Sequence, residues 1–380
     1  MASRAAAAAA LLLFYCGYTA VGAEYTSQSL STFVDTLLAE YDRAAPPRPR
    51  TPVALALDVR HATVDDDTAI VRLLADLKMR WNDTRLTWDA KTWEGDSVVV
   101  PLERLWSPDV ALVNGASSAG GSAGSGLRAR LGAGGELSAA LRLELRVPVA
   151  LQLAAWPRDR QQAVFKFASR VHDQDEIDIY VSDYSNLLLL ESGEWKVLGV
   201  EGATMSWSRG AGGEERAGAW TVRLERRGAA QAAAAGAVLA AAVLVLGAAL
   251  ALPYSQRPPL AACAAFLSAL WLVTAVWHVP GGVSAPRVVR VLCAACACAA
   301  ASGASAAAAA RLARVRAAPP AALRALLARA SRLCPLAPAP ESMSSSKSGA
   351  WAAAAQLFDA VVVAAVLVTL AVLVGIHLFS

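Results

Sequence analysis

The sequence predicts two parts in series: an all-β sandwich led by one N-terminal helix, then a bundle of four membrane-spanning α-helices. Three observations carry this. Short stretches between residues 53 and 153 alternate apolar with polar residues, with turn signals about every eight to twelve residues, as strands of a sandwich do. Residues 24–41 instead repeat apolar positions at three and four, the period of an amphipathic helix. Beyond residue 228 come four apolar runs of about 20 residues, enough to cross a bilayer and long for globular helices.

Composition agrees. Of 380 residues, 56% are apolar and 17% charged, a membrane-leaning balance. The net charge of +4 is small for this length, and no lysine-arginine stripe interleaved with aromatics runs through the chain. Both points argue against nucleic-acid binding.

Residues 1–22 read as a secretory signal peptide. Arg4 precedes the apolar run Ala5–Phe14, and Ala20-Val21-Gly22 offers small residues for cleavage. The alternative, a first membrane helix, fails because the run is too short. The mature N-terminus is therefore expected outside the cell. The six cysteines are Cys16, Cys263, Cys293, Cys296, Cys298 and Cys334, which leaves residues 23–227 with none and no disulfide. A domain of roughly 200 residues can fold on its own core, although secreted domains usually carry such bonds.

The first helix, Glu24–Tyr41, places Leu30, Phe33, Val34, Leu37, Leu38 and Tyr41 on one face, and Pro46-Pro47 ends it. Strands are expected at Val53–Val59, Ala69–Leu74, Trp81–Trp88, Ser97–Leu105 and Leu141–Leu153. Gly115–Gly135 is rich in Gly, Ser and Ala and reads as a flexible loop. The four membrane segments are Ala229–Leu252, Pro259–Val279, Val288–Ala310 and Val361–Phe379. A soluble helical bundle is the competing reading, and the length of the runs disfavours it. Arg311, Arg314, Arg316, Arg324, Arg329 and Arg332 follow the third run, so the positive-inside rule makes that loop cytoplasmic and both termini extracellular.

Enzyme signatures are missing: no nucleophile elbow, no His-Glu-x-x-His, no phosphate-cradling glycine loop. His61, His172, His278 and His377 fall on unrelated elements. Cys293-x-x-Cys296-x-Cys298 could be half of a metal site, but no second pair accompanies it, and small apolar fillers suit an alanine run better. No cofactor and no metal are expected.

The most particular stretch is Trp81-x-Asp83-x-x-Leu86-x-Trp88-Asp89, followed by Val98–Pro101 and then Leu105-Trp106-x-Pro108-Asp109-x-x-Leu112-x-Asn114. Pro108 sets a corner at which Asp109 can accept bonds from nearby backbone N–H groups. Later come Gly193-Glu194-Trp195-x-Val197-Leu198-Gly199 and a basic final strand, Trp220–Arg227. Together these resemble pentameric ligand-gated ion channels, the Cys-loop family, and nicotinic acetylcholine receptor subunits in particular. The resemblance covers residues 30 to 227, with four membrane segments following in the family's order. It implies an extracellular ligand-binding-type sandwich at 23–227, membrane helices 1–3 at 228–310, a cytoplasmic loop at 311–350, and a fourth helix with a short extracellular tail at 351–380. It also implies a multi-pass protein of the postsynaptic plasma membrane.

Residue by residue, the resemblance implies a subunit without an agonist site. The family's cage for a quaternary ammonium is aromatic, because ring faces attract cations. Here the matching positions are Val113, Arg170 and Asp76, and Trp207 is the one aromatic between Gly199 and Gly218. The family's signature loop keeps Trp156-Pro157 and Asp159, its gating-coupling part, but Val149 and Ala163 stand at the two bridging cysteines. Losing that bond forfeits roughly 3 kcal/mol for a loop of about 15 residues. Trp156-Pro157 suits a cis bond at a tight turn.

The second membrane run would line the pore, and it carries no acid. In one register Val276 and Ser255 take the places of the mouth carboxylates and Ala265 that of the gate leucine. A two-residue shift puts Leu267 at the gate, His278 at the outer mouth and Arg257 at the inner one. Asn82-Asp83-Thr84 is a glycosylation sequon on the strand face opposite Trp81. The implied partners are other nicotinic receptor subunits in a heteropentamer, membrane lipid, monovalent cations and calcium in the shared pore, and a neurotransmitter held between other subunits. The competing function is a non-conducting membrane protein of the same fold that sequesters a ligand or associates with receptors.

Overall fold

A computed structural model describes residues 30–91, 95–116, 126–182, 193–208, 214–279, 281–317 and 347–379, with 320–322, 325 and 329. The expected signal peptide and most of the expected cytoplasmic loop lie outside the described residues. The described chain opens with a helical segment, α1 (30–37), which ends four residues before the expected boundary at Tyr41. Beyond it the Tyr41 hydroxyl donates to Asp83 Oδ2 at 2.8 Å and accepts from the Trp106 N–H at 3.1 Å.

Ten strands follow: β1 (Thr51–Asp65), β2 (Ile70–Asn82), β3 (Ser97–Pro101), β4 (Val110–Leu112), β5 (Arg128–Gly132), β6 (Glu136–Pro148), β7 (Arg160–Ser169), β8 (Ile177–Val181), β9 (Trp195–Ser208) and β10 (Glu214–Arg226). One sheet has the order β3-β5-β6-β2-β1-β8 and the other β4-β7-β10-β9. Only β8 against β1 is parallel among these pairs. Strands β2, β3, β5 and β6 turn alternate residues inward, as a period of two requires, while β1 is buried on both faces from Val53 to Val59. Leu55, Leu57, Leu73, Leu77, Leu131, Leu137, Leu145, Phe165, Phe167 and Trp220 fill the space between the sheets.

Several expected boundaries move. The stretches expected as separate strands at Ala69–Leu74 and Trp81–Trp88 belong to one strand and the turn after it. Val71, Leu73, Ala75, Leu77, Met79 and Trp81 all face the core along β2, and Trp81 is nearly the last residue rather than the first. The chain turns at once because Asp83 N–H donates to Gly135 O (2.9 Å) and the Asp83 carboxylate holds the Arg85 guanidinium. Part of the expected flexible loop at Gly115–Gly135 is ordered as β5 and its hairpin turn into β6. Gly135 is required in that turn: its φ is +84°, and a Cβ there would sit 2.4 Å from Asp83 O. Residues 117–125 of that loop lie outside the described residues. The expected strand Ser97–Leu105 closes early, with a 3-10 turn at Leu102–Arg104 after Pro101. Leu141–Leu153 begins earlier and ends at Pro148, leaving 149–159 as a loop that still buries Leu151 and Leu153.

Four long helices complete the chain: α2 (Ala229–Ala251), α3 (Arg257–His278), α4 (Arg287–Ala313) and α5 (Lys347–Phe379). Each contains a run long and apolar enough to span a bilayer. Pro258 and Pro259 fall in the first turn of α3, where a missing N–H costs nothing. The bundle interior is mostly alanine (Ala242, Ala249, Ala261, Ala264, Ala295, Ala299, Ala306), and small residues let helices approach closely in lipid. Helix α5 begins at Lys347, inside the stretch expected as loop, and the Trp351 indole N–H donates to Ala317 O at 2.7 Å.

Candidate functional site

The three residues expected at cage positions lie on different elements. Asp76 lies on the exposed face of β2, between Arg60 and Arg142, which approach its two oxygens at 2.5 and 2.9 Å. Burial alone would raise its pKa, but hydrogen bonds from the two arginines hold it below the usual carboxylate range. A fixed ion triad thus stands at the position where the resemblance led us to expect an aromatic ring. Val113 is half-buried just past β4, its N–H donating to Lys166 O at 2.9 Å. Arg170 is exposed in the β7–β8 loop.

That loop is held by the corner motif. Asp109 accepts from Ser169 Oγ (2.7 Å), Arg170 N (3.0 Å) and Val171 N (2.9 Å). The partners expected for Asp109 were its chain neighbours; they come instead from residues 60 to 62 positions later. The described side chains of Asp76, Val113 and Arg170 provide no ring face for a quaternary ammonium. The side chain of Trp207 lies outside the described residues.

The signature loop is closed without a bridge. Val149 is half-buried and Ala163 buried on β7. Between them the buried Gln161 amide does the fastening: Nε2 donates to Gln152 O (3.1 Å) and Asp159 Oδ2 (2.7 Å), while Oε1 accepts from Gln152 N (3.0 Å). The Trp156–Pro157 bond is cis. Nothing in the spacing of the sequence singled out Gln161.

Asp159 reaches further. It receives Arg226 Nε at 2.7 Å, at the end of β10. Arg226 also binds Asp66 (2.5 and 2.9 Å) from the β1–β2 turn and Glu194 (3.2 Å), and lies 4.3 Å from the centre of the Trp195 ring. Its side chain is 3% exposed. Burial would lower its pKa, but bonds and charge from Asp66 and Asp159 more than offset that and hold the cation above the usual arginine range. The Glu194-Trp195 motif and Asp159 therefore converge on one guanidinium. The sequence showed only that the last strand ends basic.

The same loop sits on the membrane helices. Val283 N–H donates to Leu151 O (3.2 Å) and Arg287 N–H to Ala154 O (3.1 Å), both from the α3–α4 linker and its end. A Cβ on Gly228, just before α2, would collide with Pro157 O, so that approach tolerates only glycine. The loop thus touches the entry of α2 and the α3–α4 connection at once.

On α3, Ala265 packs inward, where Cys296 Sγ of α4 lies 3.7 Å from its carbonyl oxygen. The exposed stripe is Phe266, Leu270, Val273 and Trp277, with Leu267 at its margin (36% exposed). The side chain of Val276 lies outside the described residues. Arg257 turns away from that stripe into the bundle, where it binds Asp359 of α5 at 2.5 and 2.9 Å and donates to Ala249 O (3.2 Å) and Leu252 O (2.9 Å). Arg257, which the shifted register would put at the inner mouth, is thus engaged inside the bundle. Asn82 is exposed at the end of β2, as its alternation with Trp81 required. Among the described residues no group of three or more His, Cys, Asp or Glu is placed to hold a metal ion. Cys293, Cys296 and Cys298 are free thiols along α4.

A β-sandwich whose long loop is seated on membrane-length helices is the build of a multi-pass membrane protein with one folded domain outside the bundle. The chain belongs to the neurotransmitter-gated ion-channel ligand binding domain family, which matches residues 30–226. It is 26% identical over 201 residues to mouse neuronal acetylcholine receptor subunit alpha-6, covering 50% of this chain and 40% of that one. It is 27% identical over 143 residues to rat subunit beta-3 (37% and 30% covered), and 30% over 144 residues to chicken subunit alpha-4 (37% and 23%). The aligned region thus spans less than half the length of each of these relatives.

Proposed function

We propose that this chain is a subunit of a nicotinic-like pentameric ligand-gated channel, structural or modulatory within a heteropentamer and without a complete agonist site of its own. The observation that carries the reading is the trio at the cage positions. Asp76 is locked between two arginines, Val113 is aliphatic, and Arg170 is a cation that would repel a cationic agonist. The loop seated on α2 and the α3–α4 linker is the part such a subunit would use to pass motion between its halves. Its partners would be other nicotinic-like subunits, with the neurotransmitter bound at their interfaces, and monovalent cations and calcium crossing the shared pore. Its place would be the postsynaptic plasma membrane, with both termini outside and a glycan on Asn82. Radioligand binding to membranes holding this chain alone should show no saturable cholinergic site; a saturable, competable site would overturn the proposal.

A second reading has one observation in its favour. The exposed stripe of α3 is bulky and apolar, and its described residues include no carboxylate to concentrate cations. A receptor-associated protein that conducts nothing would tolerate such a helix. Single-channel recording from cells co-expressing conducting subunits separates the two. A lowered unitary conductance supports incorporation, and unchanged channels support the bystander.

A further inference from the structure

The outer face of the larger sheet carries a row of residues running across five strands. Tyr180 of β8 pairs with Ala54 of β1, Ala54 with Arg80 of β2, Arg80 with Ser138 of β6, and Ser138 with Arg130 of β5. All five line one cleft of about 890 Å³, near the top of the range for small-ligand pockets. Ala54 and Ser138 are short, so they form low points between the longer side chains. Asn82 is exposed two residues beyond Arg80 on β2, which puts it on the same face, and it lines the cleft as well.

The chemistry of the walls narrows the occupant. The described lining holds two cations, Arg80 and Arg130, and two carboxylates, Asp96 and Glu136, so it is polar without net charge. An ion would meet as many like charges as opposite ones. A hydrocarbon would strip water from four charged groups. A neutral polyhydroxyl ligand can donate to the carboxylates and accept from the guanidinium groups. The Tyr180 side chain, 43% exposed, adds a flat apolar ring face of the kind a sugar ring covers.

Position then selects the sugar. Asn82-Asp83-Thr84 is a glycosylation sequon, so a glycan on Asn82 starts within the lining. Tyr180 stands two strands from Arg80, roughly 10 Å across the sheet. A tethered sugar binds intramolecularly, at an effective concentration on the order of mM, so weak contacts suffice. We propose that the first two N-acetylglucosamine rings of the Asn82 glycan lie in this cleft, one of them against Tyr180. This rests on Asn82 carrying the glycan proposed above, and does not depend on whether the assembled protein conducts.

The test uses the full chain in detergent, made in cells whose glycans stop at the oligomannose stage. Peptide mass spectrometry first establishes that Asn82 is modified. Asp173→Asn with Asp175→Thr adds a second sequon in the exposed β7–β8 loop, an internal control on the same molecule. Endoglycosidase H cuts between the first two rings. It should release the Asn82 glycan about tenfold more slowly than the loop glycan, as for a bond open about a tenth of the time. After denaturation the two rates should be equal. Tyr180→Ala removes the ring and Ser138→Trp fills the floor, and each should raise the Asn82 rate to that of the control. Tyr180→Phe keeps the ring and should keep the protection, which separates a lost contact from a lost fold. Equal native rates, or no response to Tyr180→Ala, would overturn the proposal while leaving the glycan in place. An unmodified Asn82 peptide would overturn both.

Discussion

Two buried arginines sit at opposite ends of the first membrane helix, and the protein neutralises them in different ways. Arg226 and Arg257 have side chains equally hidden, each 3% exposed. Arg226, at the sandwich junction, meets three carboxylates and a tryptophan ring. Arg257, inside the bundle, meets one carboxylate, Asp359, and two backbone carbonyls near the end of α2. The carbonyls are groups a helix C-terminus leaves unsatisfied, so Arg257 also caps α2. The difference teaches where redundancy can be built. Close to water, extra carboxylates are cheap to add around a buried cation. Among apolar helices each further charge is expensive, so the pair is minimal and each partner is indispensable.

The largest effect therefore belongs to the membrane pair. Asp359→Ala leaves an uncompensated charge among apolar helices and should cost about 3–5 kcal/mol. It would be read as a fall in the thermal midpoint of the purified chain. Arg257→Asp combined with Asp359→Arg should recover most of that loss. A swap no better than either single change would mean the pair is not the interaction that matters.

Asp159→Ala should cost less, about 1.5–3 kcal/mol, because Arg226 keeps Asp66 and Glu194. A loss as large as that of Asp359→Ala would break the comparison.

An intermediate case gives a pH test. Asp83 is fully buried, and burial alone would raise its pKa, yet bonds from Arg85 and Tyr41 hold it below the usual value. A depressed carboxylate contributes stability that is fully present above its unfolded pKa, near 3.9, and is lost as pH falls through the lower folded value. Stability should thus drop on acidification below about pH 4, and the Asp83→Asn variant should show a shallower drop. An unchanged acid slope in that variant would remove Asp83 from the account. The same cluster acts at the alkaline end: burial, with Asp83 beside it, pushes the Tyr41 hydroxyl up to about 12.

The smallest effect is expected at Glu194, whose side chain is half exposed. Glu194→Gln should cost less than about 1 kcal/mol in chemical denaturation. A larger loss would show that the three carboxylates around Arg226 are not interchangeable.

The candidate site was read from the sequence as a matter of register. With Trp81, the Trp106-x-Pro108-Asp109 corner and Trp156-Pro157 aligned, Asp76, Val113, Arg170, Val149 and Ala163 are the residues expected at the cage and bridge positions. What those residues do could not be counted off. The Arg60–Asp76–Arg142 triad needs β1, β2 and β6 side by side. The Gln161 fastening needs the loop folded back on β7. The signal for Arg257 was present as Asp359, the nearer of two carboxylates ahead of the last apolar run, but Arg257 and Asp359 lie 102 residues apart.

The sequence by itself determined the two-part architecture, the strand and helix periods, and the family, because apolar spacing and span length are properties of short stretches of chain. It could not decide that residues 70–82 form one strand, that β5 rises from a Gly-rich segment, or which carboxylate answers which arginine. Those outcomes depend on which surfaces the sheets and helices bring together. A charge or a backbone N–H accepts whatever partner the fold places within about 3 Å, and no local pattern records that choice.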